Sequence, residues 1–224
     1  MFDTEIFHKR LETYKKNFLL NNLGDSTNEW ELIKSFQDVW DINAPDFSDM
    51  LFRSMQRLSL SKKFIYQFST VMIKRFAQNE PEKVRKMFKD LYDEQVDIYT
   101  RYDNFTAASN ELFEIYRKDN ESKHCQTQNA ISVYLWLMYP DKYNVFKISV
   151  LNKAATLLDS NFEFIRGDYY VNIRNFYEFC DELYEEFVKD KELAPLLKRK
   201  LNKRCYTDEN LRVMLTDFIY NLAK

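Results

Sequence analysis

Apolar residues recur at three- and four-residue intervals along nearly the whole chain. Phe7, Leu11, Tyr14 and Phe18 fall on one face of a helix. Trp30, Ile33, Phe36 and Trp40 repeat the spacing, and Ser26 followed by Glu29 has the form of a capping box ahead of them. "DINAPDF" interrupts the pattern, because Pro45 disfavours helical backbone at the residue before it. Phe47, Met50, Ser54, Met55 and Leu58 resume it, and Phe64, Phe68, Val71, Met72 and Phe76 form another stripe. Asn79 is placed to cap the next helix, with Pro81 in its first turn. From Val84 to Phe105 the apolar spacing continues, and it extends to Tyr116. That is long for one globular helix, so a break is expected near "NFTAAS".

"RKDNESKHCQTQN" is polar and reads as a loop, which leaves Thr127 to cap a helix ending near Tyr139, where Pro140 stops it. Helices are expected over 150–158, 170–187 and 193–201, and Asp208 precedes a last one carrying Leu211, Met214, Leu215, Phe218, Ile219 and Leu222. "NFEFIRGDYY" is the one candidate for a short hairpin, near residues 160–172. The predicted fold is therefore all-α, an irregular multi-helix bundle. No fixed-period repeat or low-complexity linker divides it. Residues 1–224 read as a single helical domain, and if it has two lobes they are 1–120 and 126–224.

Composition supports this. Only Gly24 and Gly167 are glycine, and there are four prolines, whereas hairpin-rich sheets need glycine where φ is positive. Hydrophobic residues make up 45% and charged residues 30%, the balance of a folded globular chain. No apolar run reaches the roughly 20 residues that span a bilayer. Cys125, Cys180 and Cys205 are odd in number and widely spaced, which reads as reduced thiols and a cytoplasmic setting.

Several kinds of chemistry lack their residues. Neither glycine lies in a phosphate-cradling loop. His8, His124 and the three cysteines are too scattered for zinc. His124 and Cys125 are adjacent, but neighbouring residues rarely face one another and no third orienting group is evident. Arg117 and His124 have the spacing of an arginine and a histidine in helical ribonucleases, although the segment between them is polar. The acid pairs Asp93–Glu94 and Glu185–Glu186 lie on charged helix faces.

Positive charge is local, because the net charge is −2. The densest run is "KRKLNKRC", with Lys198, Arg199, Lys200, Lys203 and Arg204. It suits phosphates, and it equally suits a helix end where cations meet the dipole. Lys83, Arg85, Lys86 and Lys89 are interleaved with acids and read as a solvated face. After Pro140, Asp141 can start a turn that presents Lys142, Tyr143 and Lys147, a combination of cation and ring that suits an unstacked base. With aromatics at 17% of the chain most rings belong to the core, so for any one ring the favoured reading is that Tyr143 and Phe146 pin that turn to it.

"SFQDVWDINAPDFSDML", "EPEKVRKMFKDLYDE", "QTQNAISVYLWLMYPDKYNVFK" and "DENLRVMLTDFIYNLAK" resemble the helical N-terminal region of McrB-like proteins, AAA-type GTP-dependent subunits of modification-dependent restriction systems. The resemblance runs from about Phe7 to Ala223, and the WDI-APDF and YPDKY stretches are its most specific parts. It implies a non-catalytic domain that recognises a target, commonly modified DNA. It also implies a motor module downstream of Lys224, with GTP or ATP and magnesium bound there only, and a separate McrC-like nuclease subunit as partner. This chain has no Walker A sequence. On that reading the domain is a cytoplasmic monomer with no cofactor and no membrane partner. Lys142, Lys147, Lys198, Arg199, Lys200, Lys203 and Arg204 would meet DNA phosphates, and Tyr143 or Tyr169 would stack on an extruded base. A protein-interaction module that relays a partner or phage component to the motor is the alternative, and a helical ribonuclease using Arg117 and His124 is a third.

Overall fold

A computed structural model describes residues 1–20, 28–60, 63–65 and 67–223. Among them are twelve helices and no strand: α1 (Thr4–Leu20), α2 (Asn28–Gln37), α3 (Phe47–Ser54), α4 (Gln56–Leu60), α5 (Gln67–Asn79), α6 (Pro81–Tyr92), α7 (Ile98–Tyr116), α8 (Gln128–Met138), α9 (Ile148–Leu157), α10 (Tyr169–Phe187), α11 (Leu193–Lys200) and α12 (Arg212–Leu222). The all-α expectation holds. The Ser26 half of the proposed capping box lies outside the described residues.

The chain forms two compact units, one of Met1–Ile33 with Tyr139–Lys224 and the other of Lys34–Met138. This division differs from lobes at 1–120 and 126–224. The 117–127 loop is not a linker, because it is bonded back onto α5. Arg75 makes a bidentate pair with Glu121, Ser69 donates to the Cys125 carbonyl at 2.7 Å, and Gln126 donates to the Ser69 carbonyl at 2.7 Å. The N-terminal helix, for its part, packs on α11 and α12.

In the unit 34–138, α6 packs on α5 and α7 around Phe88. Trp40, Phe47, Tyr92, Phe105 and Tyr134 all place rings 5.1–6.5 Å from the Phe88 ring. Aromatic edges and faces at this spacing add attraction beyond the buried area. "DINAPDF" forms the entry to α3. The Asp46 side chain caps α3 by accepting from Asp49 N at 2.9 Å. Arg85 on α6 secures the preceding loop by donating to the Ile42 and Ala44 carbonyls at 2.6 and 2.9 Å. In the discontinuous unit, Phe218 on α12 collects Phe7, Tyr14 and Phe187 at 5.3–5.5 Å.

Three local expectations are corrected. The break after α6 falls at residues 93–97, not at "NFTAAS": Asp97 caps α7 by accepting from Thr100 N, and α7 then runs unbroken to Tyr116. Asn79 ends α5, with its side chain donating to the Arg75 carbonyl, and Glu80 occupies the N-cap position before Pro81. No hairpin forms at 160–172. Two asparagine side chains take the place of a partner strand there. Asn152 makes both donor and acceptor bonds to the Phe164 backbone at 2.7 and 3.0 Å, and Asn172 does the same to Ile165 at 2.7 and 2.9 Å. The backbone polar groups are satisfied without a β ladder, and Gly167 turns the chain at φ +95°.

Candidate nucleic-acid interface

Helical period decides which cations of the basic run face water. Leu193, Leu196 and Leu197 form the buried side of α11. Lys198 and Arg199 fall on the opposite side and are exposed. Lys200, three and four residues beyond the leucines, turns inward: it is 8% exposed, and its ammonium lies 5.7 Å from the Phe18 ring centroid. The expectation that Lys200 meets phosphate is therefore corrected, since its charge is directed at α1. Past α11, Asn202 forms a turn, with its carboxamide oxygen accepting from Arg204 N at 2.8 Å. Lys203 and Arg204 are exposed on this turn, and the buried thiol of Cys205 anchors the loop. Among the described residues, no carboxylate pairs with Lys198, Arg199, Lys203 or Arg204.

The rest of that loop is fixed at two points. Tyr206 N donates to the Trp30 carbonyl at 3.0 Å. Asp208 accepts from Trp30 Nε1 at 2.9 Å and from Val213 N and Met214 N at 3.0 and 2.9 Å. It thus satisfies the start of α12, as its sequence position suggested, while Leu211 at φ 61° is the formal N-cap. Burial pushes the Asp208 carboxyl up to about 7, against the pull of its three N–H donors. Burial first, and the interaction with Asp141 second, push the Tyr206 phenol pKa up. Asp141 lies in the turn after Pro140, next to Lys142.

That turn differs from its expected role. Lys142 is exposed, with its ammonium 5.7 Å from the Tyr143 ring. Tyr143 is 4% exposed and lies against Tyr139 and Tyr177 at 6.2 and 6.1 Å, so neither ring face is open to a base. Lys147 is half-buried at the N-cap of α9, and burial lowers its pKa. Tyr169 is half-buried at the start of α10. The exposed ring there is its neighbour Tyr170, 56% exposed and edge-on to Tyr169 at 5.4 Å. The sequence reading overlooked Tyr170 and the interaction of Tyr206 with Asp141. An aromatic residue adjacent to the basic run was the available signal for the latter.

The other candidate chemistries are occupied. His124 Nδ1 accepts from Gln126 N at 3.0 Å, and burial lowers the pKa of its ring. The Cys125 thiol donates to the Lys123 carbonyl at 3.7 Å, and burial raises its pKa. The pair therefore offers neither a thiolate nor a free base atom at Nδ1. Arg117 and His124 both lie on Phe113, at 5.9 and 6.2 Å, and Arg117 also pairs with Glu114. Glu12, Asp190 and Glu192 converge closely enough to hold a cation. Lys15 Nζ already fills their centre, bonding to all three, at 2.8 Å from Asp190 and from Glu192. The second basic patch is largely paired: Arg85 with Glu82, Lys83 with Glu111 and Lys86 with Asp90.

No helix of the described residues is long and apolar enough to cross a membrane. No protein-family model matches the chain, and neither the curated proteins nor the solved structures contain a significant match to it.

Proposed function

We propose that this chain is a DNA-recognition domain with no catalysis of its own, of the kind that precedes the motor in McrB-like restriction subunits. The observation that supports it is the set of four exposed cations without carboxylate partners, Lys198, Arg199, Lys203 and Arg204, on one helix end and the loop after it. Tyr206, which follows that run, interacts with Asp141, the neighbour of Lys142. Cations gathered without acids create a local positive field on a chain of net charge −2. Phosphates are the anions that a turn of this kind meets through both side chains and backbone N–H groups. On this reading a GTP- or ATP-dependent motor with magnesium and an McrC-like nuclease subunit are the partners. A G-x-x-x-x-G-K-[ST] pattern encoded beyond Lys224 would support that part.

The test is binding to methylated and unmethylated duplexes across a salt series. Each phosphate contact contributes about −0.9 to the slope of log K against log salt. Reversing Lys198, Arg199, Lys203 and Arg204 to glutamate abolishes the measurable slope if these residues carry the contact. Binding indifferent to salt, or none to any duplex, rejects the reading. A difference between methylated and unmethylated DNA assigns base sensing to the domain.

A further inference from the structure

A second feature stands apart from the basic face and lies wholly within the unit 34–138. Helices α3, α4 and α5 border an open groove of about 710 Å³, which continues into a recess of about 310 Å³. The two share Phe52, Ser59, Lys74 and Gln78. Volumes of this order suit a bound segment with several side chains.

Lys74 is the unusual group in it. Its ammonium donates to Ser59 Oγ at 2.8 Å and lies 4.6 Å from the Phe52 ring centroid. The Ser59 hydroxyl spends its own proton on the Met55 carbonyl at 2.9 Å, so it can only accept from Lys74. Among the described residues, Lys74 has no carboxylate partner. An ammonium has three donors, and one hydroxyl leaves two of them for the groove. Burial without a counter-charge also lowers the pKa of this lysine, so an incoming anion would stabilise the charge that the fold leaves uncompensated.

Two apolar side chains line the groove and its recess and are uncovered: Phe52 is 41% exposed and Val71 is 45% exposed. Isolated exposed hydrophobics are ordinary, but two lining one recess beside a cation with no carboxylate partner form an apolar contact next to a charge, as at docking sites. Gln56 and Gln78 add carboxamides that can pair with peptide N–H and C=O groups. The far rim carries Asp46 and Asp49, the latter paired with Arg53 at 2.8 Å. Arg53 and Arg75 also line the groove and recess, but each is paired with a carboxylate, Asp49 and Glu121. A nucleic-acid backbone or polyphosphate would find Lys74 as the one lining cation without an acid and would then meet Asp46, which disfavours it. A segment with a single negative charge at the Lys74 end meets complementary charge at one end and no repulsion at the other.

We propose that the α3–α5 groove docks an extended segment of a partner protein, with one acidic side chain seated on Lys74 and a large apolar neighbour against Phe52 and Val71. This holds whether or not the basic loop binds DNA, because the two sites share no residue. Docking of this type would let the domain report a bound protein as well as a bound duplex.

The test uses the whole chain and an array of terminally blocked heptapeptides, with a parallel set bearing free C-terminal carboxylates. The expected result is retention of blocked peptides carrying one Asp or Glu within two positions of Leu, Met or Phe. Lys74→Met weakens that binding at least ten-fold, Lys74→Arg retains most of it, and duplex binding is unchanged by either. Phe52→Ser, at an exposed position, weakens the same peptides and serves if Lys74→Met does not fold. The proposal is overturned if no peptide is retained, if the acid is dispensable, if only free C-termini bind, if Lys74→Met or Phe52→Ser leaves affinity unchanged, or if a single-stranded oligonucleotide displaces the peptide through Lys74.

Discussion

Trp30 and Asp208, 178 positions apart in sequence, meet in a buried hydrogen bond of 2.9 Å. The same carboxylate caps α12 through Val213 N and Met214 N, so one acid joins the second helix to the last. Trp30→Phe keeps the ring and removes only the N–H. The expected loss is about 1.5–3 kcal/mol, the range for a hydrogen bond to a charged group, measured by urea unfolding at about pH 8.5, where Asp208 is ionised.

Asp208 also sets a pH dependence. Its folded pKa is raised from the ordinary 3.8 to about 7, with burial as the main cause. The folded state then holds a proton that the unfolded state releases, so this contribution is complete below pH 3.8 and is lost as pH rises through 7. Relative to Asp208→Asn, the wild type should lose stability steadily between about pH 4 and 7. Unfolding curves at four pH values decide the matter, and parallel profiles for the two proteins would contradict the assignment.

Glu121 runs the opposite way. The hydrogen bonds from Arg75 first, then from Lys118 N, hold its carboxyl at about 2, below the ordinary 4.5. Its contribution is present above pH 4.5 and disappears as pH falls toward 2. Glu121→Gln should release the 117–127 loop from α5 without unfolding the helices. Faster amide exchange confined to residues 117–127 is the expected signature, and exchange that accelerates across α5–α7 as well would show that the pair holds more than the loop.

Helix content was legible because apolar spacing reports the buried face directly, and most predicted elements appear within a few residues of their place. The misses share a physical origin in side chains that replace backbone pairing. Asn152 and Asn172 satisfy the extended stretch at Phe164 and Ile165, so its alternation imitated a hairpin. The boundary between units was hidden for a similar reason. A polar loop reads as a linker until Ser69, Arg75 and Gln126 are seen to hold it. At the candidate interface, the charged residues were visible but their orientation was not. Lys200 differs from Arg199 by one position on a helix, which is enough to bury it. Lys74 could not be distinguished from any other helical lysine, because its isolation from acids is a property of packing.

Lys15 explains why a three-carboxylate cluster is not expected to bind metal. Burial opposes its charge, but Asp190, Glu12 and Glu192 outweigh that and raise its pKa. The ammonium is therefore fully charged at neutral pH and repels an incoming cation. Millimolar calcium or manganese should leave Tm unchanged. Lys15→Met should cost between the ~1 kcal/mol of an exposed pair and the ~3 kcal/mol of breaking a buried one. Although burial opposes it, the bond from Lys15 holds the Asp190 carboxyl below the usual carboxylate range, so the Lys15–Asp190 part of that loss should persist at pH 4, and a rise in wild-type Tm on adding either metal would reverse the argument.

Tyr206→Phe separates charge from positioning at the basic loop. The substitution removes the hydroxyl that interacts with Asp141 and leaves every cation in place. If that interaction matters only for folding, duplex affinity per folded molecule stays constant while Tm falls. If it holds Lys142 in the same field as Lys203 and Arg204, affinity falls by several-fold and the salt slope drops by about one, the amount that a single lost phosphate contact contributes. Lys142→Ala should then produce the same slope, and combining the two changes should add little, since coupled residues are not additive. Lys200→Met is the control: its ammonium is turned toward Phe18, so its loss should lower stability and leave the salt slope where it was.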